Sequence, residues 1–273
     1  MINYSEFPPS PALLPFVECF WTLQSHGYFF SKRELIIPGG RIEMIFNLGD
    51  PVEWMDSKDL SKTLSFSGSY LLGPRSRPFF VQQNGVIRVL GVRFRHGGLT
   101  SFISTPMSIF VNDLVQADQL FGNSINDLTS RLYEGNVDET SVNLIQDYLT
   151  NRIHNESDTR QNLRLISWVR ESSTLPVNTL SERTGVHYKK LERVFSHYTG
   201  YNPKNFTRII RFYRALREMN KKPVSLTDIG LSGGYYDQPH FIRDFKSFTG
   251  KTPSQFHAEN PTIANLLLTS KHV

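Results

Sequence analysis

A gap-free internal repeat limits what this chain of 273 residues can fold into. The segment LERVFSHYTGYNPKNF, residues 191–206, aligns with FIRDFKSFTGKTPSQF, residues 241–256, at an offset of 50 throughout. Arg193 matches Arg243, Phe195 matches Phe245, Thr199-Gly200 matches Thr249-Gly250, Pro203 matches Pro253 and Phe206 matches Phe256. Each copy reads as a helix, a stop and a second helix start. Leu191, Val194, Phe195 and Tyr198 fall on one helical face. Gly200 supplies the stop, because glycine enters the left-handed region without steric cost. Asn202-Pro203 and Thr252-Pro253 each offer a side-chain cap, then proline at the first helical position, where no N–H is needed.

A further short helical stretch precedes each copy. PVNTLSERTG carries Val177 and Leu180, and SLTDIGLSGG sets Ser225 and Asp228 as a capping box. Short helix, glycine turn and second helix make the helix-turn-helix layout, present twice, over about residues 176–198 and 225–248. Between them, PKNFTRIIRFYRALREMN predicts a linker helix over about 203–220, with Phe206, Ile209, Ile210, Tyr213 and Leu216 inward. About 17 helical residues span roughly 25 Å, whereas one turn of B-DNA is about 34 Å. Two reading helices on such a rod sit too close for straight DNA. The spacing therefore predicts bent DNA or one helix held less deeply.

Charge is divided along the chain in the same way. Net charge is +5, yet residues 160–257 hold 17 Lys/Arg against 7 Asp/Glu, and residues 1–159 hold 12 against 17. The basic part suits a polyanion; a merely solvated basic surface is the bland alternative. In the first copy, the face opposite Leu191 and Phe195 carries Lys189, Glu192, Arg193 and Ser196. Arg193 can pair with guanine O6 and N7. Glu192 can accept from cytosine N4, or stay a solvated residue with an intrahelical partner. Tyr188 and Lys190 flank this stripe and suit phosphate or sugar. In the second copy Phe241, Phe245 and Phe248 face inward, Asp237 caps the helix and Pro239 sits in its first turn. Gln238, His240, Arg243 and Lys246 remain for DNA. Gln238 can read adenine, Arg243 can read guanine or hold phosphate, and His240 either faces DNA or packs on its own helix. Arg208, Arg211, Arg214 and Arg217 step by three along the linker helix, a drift that cannot bring all four to one duplex. Arg208 and Arg211 are the candidates for phosphate contact.

The stretch DIGLSGGYYDQPHFIRDFKSFTGKTPSQF resembles the pattern D-I-A-x-x-x-G-F-x-D-x-S-H-F-x-R-x-F-K-x-x-x-G-x-[ST]-P-x-x-[FY] of AraC/XylS-type bacterial transcription regulators. The resemblance covers about residues 160–257. It implies an all-α C-terminal domain of two helix-turn-helix subdomains on a long linker helix, bound to double-stranded promoter or operator DNA. It puts Tyr188, Lys189, Glu192, Arg193, Gln238, Pro239, His240 and Arg243 at DNA-facing positions. Gly230 departs from the usual alanine, at about 1 kcal/mol of helix preference. Pro239 replaces a small polar residue, and His187 stands where serine usually caps the first reading helix.

Residues 1–153 carry the acidic balance and another period. RIEMIFNL places Ile42, Met44, Phe46 and Leu48 on one face, and VIRVLGVRFRHGG sets Leu90, Val92 and Phe94 against Val89, Arg93 and Arg95. PGGR, LGDP and GPRSRP read as turns or loops, so a small antiparallel barrel or sandwich is expected. Residues 112–153 shift to helical period. Their stripe Val142, Ile145, Leu149 and Ile153 packs on its own domain or forms the seam of a homodimer. HNESDTR, residues 154–160, reads as a polar linker to a C-terminal domain over 161–273. PPSPALLPFVECFWTLQ, IPGGRIEMIFNLGDP, GPRSRPFFV and LGVRFRHGG resemble an uncharacterised domain that precedes AraC-type domains, similar in layout to cupin-like sensors. That implies an α+β half, a cupin-like barrel followed by helices, that senses a small-molecule effector. Trp21, Glu43, Asn47, Trp54, Arg93 and Arg95 are its candidate lining, and Gly39 departs from an acidic residue frequent in that group. RFRHGG also offers an anion cradle through Arg93, Arg95 and the Gly97-Gly98 backbone, or simply a strand running into a turn.

Other function classes have less support. His26 and His96 stand alone, so no metal site is read, and no cofactor is implied. Cys19 is the single cysteine, which excludes an internal disulfide and a cysteine zinc cluster and fits a reducing cytoplasm. Within FVECFWTL it is either core packing or a reactive alkyl-accepting thiol. No run of about eighteen apolar residues occurs, and MINYSEFPPSPALLPF lacks the bases and apolar run of a signal peptide, so no membrane partner is expected. The reading is a cytoplasmic, non-enzymatic regulator that contacts RNA polymerase or blocks it. The alternatives are the same DNA binding with a protein-interaction module in front, or a cupin-like enzyme or Cys19 repair protein.

Overall fold

Alternation along the N-terminal strands sorts their side chains onto two faces of one antiparallel sheet. The computed structural model describes residues 2–25, 30–57, 59–154, 157–219 and 225–259. Its strands are β1 (Ile2–Phe7), β2 (Val17–Ser25), β3 (Phe30–Ile36), β4 (Glu43–Asp56), β5 (Asp59–Leu72), β6 (Phe79–Gly85), β7 (Arg88–Phe94) and β8 (Leu114–Gln116). The main path runs β1-β2-β7-β4-β5-β8. Strand β4, 14 residues long, changes partner along its length: Glu43–Asn47 pairs with β7 and Val52–Asp56 with β6, which in turn pairs with β3. The β4–β5 register shifts between Asn47 and Val52, an irregularity of the kind that bends a strand pair. Among the described residues no pairing joins β1 to β8, so the sheet curls towards a barrel without closing.

The face carrying Phe20, Met44, Phe46, Leu71, Leu90 and Val92 is buried with the helices that follow. These are α1 (Asp118–Phe121), α2 (Ser124–Glu134) and α3 (Glu139–Thr150). The stripe of Val142, Ile145 and Leu149 is therefore spent inside its own domain. The opposite parity, including Cys19, Trp21, Ile45, Trp54, Tyr70 and Val89, forms a second cluster on the concave face. Gly91 belongs to this face, and a Cβ there would overlap the Trp21 indole lying across it from β2.

The C-terminal part folds as α4 (Ser157–Glu171), α5 (Val177–Thr184), α6 (Tyr188–Thr199), α7 (Pro203–Met219), α8 (Leu226–Ser232), α9 (Gln238–Thr249) and α10 (Pro253–Glu259). Helix α4 begins inside the segment expected to be a linker, because Leu163, Ile166 and Val169 give residues 157–171 an apolar side to pack. Residue 220 of the expected linker helix and the expected domain beyond 259 lie outside the described residues. The caps act as the sequence suggests. Asn202 Oδ1 accepts from the Asn205 N–H (2.8 Å), Asp237 Oδ1 from the His240 N–H (2.7 Å), and the Thr252 hydroxyl from the Gln255 N–H (3.4 Å). His187 serves in place of serine, its Nδ1 accepting from the Lys189 N–H at 3.3 Å. Gly200 and Gly250 end α6 and α9 at φ 77° and 75°.

The repeat is a repeat of packing. Phe195 meets Phe206 edge-on at 5.1 Å, and Phe245 meets Phe256 edge-on at 5.5 Å. Phe212 of α7 also packs on Phe245 and Phe248 of α9, at 5.4 and 4.9 Å. Beside them Arg208 of α7 grips the buried Asp244 carboxylate of α9 through Nε (3.3 Å) and Nη2 (2.7 Å). The N-terminal half closes on the same helices. His96 stands edge-on to Phe206 at 5.1 Å, and the Arg41 guanidinium lies over the Tyr213 ring at 6.0 Å. The Tyr201 hydroxyl donates to the Arg75 carbonyl at 2.7 Å.

Two outcomes follow from these contacts. Asp244→Ala leaves a partly exposed guanidinium without its carboxylate, and urea denaturation should register a loss of about 1–3 kcal/mol, below the value for a fully buried pair. Part of the His96 surface is exposed, but its Nε2 is enclosed without a hydrogen-bond partner. Burial, then the guanidinium groups of Arg41, Arg170 and Arg95, hold its pKa well below the ordinary 6.5. Its contribution is thus complete above about pH 6.5 and is lost progressively as the pH falls below that value. Denaturation curves between pH 7.5 and 5 should show this decline, and His96→Gln should flatten it.

Candidate nucleic-acid interface and N-terminal cavity

Two residues along a helix turn the chain by about 200°, so a residue two before an inward phenylalanine faces away from the core. Arg193 precedes Phe195 in this way and Arg243 precedes Phe245; both arginines are exposed. Neither takes part in an ion pair among the described residues. Lys189 and Lys190 are exposed on α6, with Tyr188 and Glu192 partly so. On α9 Pro239 and Lys246 are exposed, and Gln238 and His240 partly so. The Gln238 Oε1 accepts from the Thr227 hydroxyl at 3.1 Å, which leaves its amide N–H groups as donors. His240 packs edge-on to Tyr235 at 5.1 Å with its Nε2 4.0 Å from Asp244, so its ring is turned to its own domain.

Arg208 and Arg211, expected at phosphate, are both engaged within the protein. Asp244 holds Arg208 in a two-point ion pair. Arg211 lies over the Tyr235 ring at 5.8 Å, with its Nε buried. Both arginines brace α7 against the second helix-turn-helix. Arg214 does the same towards α4, its Nη2 donating to the carbonyls of Arg170 (3.0 Å) and Glu171 (2.9 Å).

The concave face of the sheet encloses a cavity of about 140 Å³. Trp21, Glu43, Trp54 and Arg93 line it together. Asn47 and Arg95 do not, which corrects two of the six lining candidates. Asn47 is fully buried, and its amide donates to the Asp50 carbonyl at 2.9 Å where β4 changes register. Arg95 lies past the end of β7, and its Nε donates to the Leu14 carbonyl at 2.8 Å. The anion cradle also fails: the Gly98 N–H is used on the Arg95 carbonyl (2.8 Å), and Gly97 is covered by Leu163, Ile166 and Tyr198. Lining residues missed from the sequence include Tyr4, Glu34, Tyr70 and Gln83. The parity of β6, where Gln83 follows Val81 on one face, is the signal that would have found the last of these.

Arg93 anchors the cavity floor, its Nε donating to Glu43 Oε1 at 2.7 Å and its Nη1 standing 3.4 Å from Glu6 Oε1. Cys19 lies beneath it, fully buried, and burial pushes its thiol up to about 12. The thiol is therefore held protonated at neutral pH, away from solvent.

Residues 180–259 match a helix-turn-helix domain family, and residues 5–116 match a domain of unknown function (DUF6597). An uncharacterized HTH-type transcriptional regulator of Staphylococcus aureus, SAS0078, is 23% identical over 193 residues, 70% of this chain and 22% of its own length. The chain thus spans about a fifth of that relative. The probable transcription factor PqrA of Proteus vulgaris is 29% identical over 89 residues, 33% of this chain and 72% of its own length. Among solved structures, ToxT from Vibrio cholerae aligns with a TM-score of 0.47 at 14% identity, covering 84% of this chain and 97% of that one. The chain thus carries an AraC-type helix-turn-helix domain in its C-terminal part, behind a domain of unknown function.

Proposed function

We propose that the chain is a sequence-specific DNA-binding transcription regulator whose N-terminal cavity admits a small-molecule effector. The observation that carries this reading is the equivalence of Arg193 and Arg243. Each stands exposed on a reading helix, two residues before the phenylalanine that anchors it. Such arginines suit guanine O6 and N7, while Lys189, Lys190 and Lys246 suit the backbone. Helix α7 has 17 residues. Its roughly 25 Å, set against about 34 Å per DNA turn, favours a bent duplex or unequal engagement of the two helices.

A physical link from cavity to DNA supports control by a ligand. The Arg75 guanidinium is sandwiched by Trp54, a cavity wall, and Phe79, at 4.6 and 4.5 Å. Its backbone carbonyl receives the Tyr201 hydroxyl, immediately after α6. A ligand that shifts Trp54 therefore acts on the turn that ends the first reading helix, and biases the DNA-competent population.

The test is selection of binding sites from random duplexes, followed by titration of variants on the selected site. Arg193→Ala and Arg243→Ala should each weaken binding by about 1–3 kcal/mol and relax preference at one base pair. Lys190→Ala should weaken all sequences alike and lower the salt dependence. Unchanged binding by both arginine variants would remove the base-reading roles.

A further inference from the structure

The cavity on the concave face has a chemical bias that limits its occupant. Four charged side chains reach it, and they are already matched in pairs. Lys32 is ion-paired with Glu34, and Arg93 with Glu43. An incoming ion at the cavity floor would compete with the Arg93–Glu43 pair, whose side chains are 2% and 16% exposed, and that is costly because the released charge stays poorly hydrated. Three neutral donors are in the opposite position. Trp21 Nε1, Trp54 Nε1 and Gln83 Nε2 have no hydrogen-bond partner, and their residues are 8%, 5% and 9% exposed; the Trp54 ring stands edge-on to Tyr70, which leaves Trp21 and Gln83 as the pair for a ligand. A buried N–H without an acceptor is unfavourable, so an acceptor brought to it is favoured.

Shape adds a second limit. Tyr4 lies 6.2 Å from Trp21, and Tyr70 lies 6.3 Å from Trp54, so aromatic rings stand on both sides of the space. Flat rings suit flat partners. An enclosed volume of about 150 Å³ is enough for benzene, and this cavity of about 140 Å³ has the capacity for one ring with a small substituent.

We propose that this cavity binds a small, uncharged, single-ring compound carrying a carbonyl-type acceptor, held between the tryptophans and hydrogen-bonded by Trp21 and Gln83. The proposal rests on reading the cavity as a ligand site, and it adds the class of ligand.

Four probes of similar size test it on the full chain by calorimetry: acetophenone, toluene, benzoate and benzylamine. Acetophenone should bind about tenfold or more tighter than the other three, the scale of one or two neutral hydrogen bonds. Trp21→Phe and Gln83→Leu should each lower acetophenone affinity severalfold and leave toluene unchanged. The ligand class is overturned if benzoate or benzylamine binds as tightly, if toluene matches acetophenone, if no probe saturates, or if both variants bind acetophenone normally. The effector reading fails separately: if acetophenone binds as described but leaves affinity for the selected duplex unchanged, the site stands and its regulatory role does not.

Discussion

One edge-to-face pair of phenylalanines, made twice, orients α6 and α9. Phe195 with Phe206 and Phe245 with Phe256 occupy equivalent places 50 residues apart. Such a pair is worth about 0.5–1.5 kcal/mol beyond the area it buries. Its larger effect is directional. Once the phenylalanine of α6 or α9 is turned to the following helix, the helical period sends the residue two positions earlier outward. The outward arginines are thus a consequence of the inward aromatic rings.

Helix α7 gathers these constraints into one body. Phe206 at its start belongs to the first unit, and Phe212 in its middle packs on the second. Arg208 adds an ion pair to α9, and Arg214 ties the helix to the end of α4. The N-terminal half presses on the same rod through His96 and Arg41. A displacement of the N-terminal half therefore reaches both units through one helix. A closely packed interface tends to switch between arrangements instead of deforming smoothly.

The sheet serves two purposes through its parity. One face is buried with α2 and α3 in the main core, and the other curls around a cavity. Gly91 lets the Trp21 indole lie flat across the strand, and so shapes the cavity wall. Arg75 joins that wall to the turn after α6. It is 5% exposed, and burial pulls its guanidinium down to about 10 although it remains charged near neutral pH. Stacking on Trp54 and Phe79 offsets only part of the lost hydration, since both Arg75 Nη groups are buried without a hydrogen-bond partner.

Periodicity, caps and breakers are local, and they were legible. The doubled helix-turn-helix, the stops of α6 and α9, the start of α7, the capping by Asp237 and the stripe Val142–Ile145–Leu149 all follow from residues within a few positions of each other. The antiparallel character of the N-terminal half was legible for the same reason, but its open curl was not, because closure depends on which strands meet. Side-chain assignments divided along this line. By sequence alone Arg193 and Arg208 are alike, each a polar residue beside an apolar stripe. Only the tertiary structure brings Asp244, 36 residues away, to Arg208 and leaves Arg193 without such a partner among the described residues. The same holds for Asn47 and Arg95, which are used by the carbonyls of Asp50 and Leu14. The sequence by itself determined which elements form and which faces are apolar, since helical and strand periods are properties of neighbouring residues. The tertiary structure decided which charges are consumed inside and which are left to meet a partner, since a charge is neutralised by whatever the fold sets beside it.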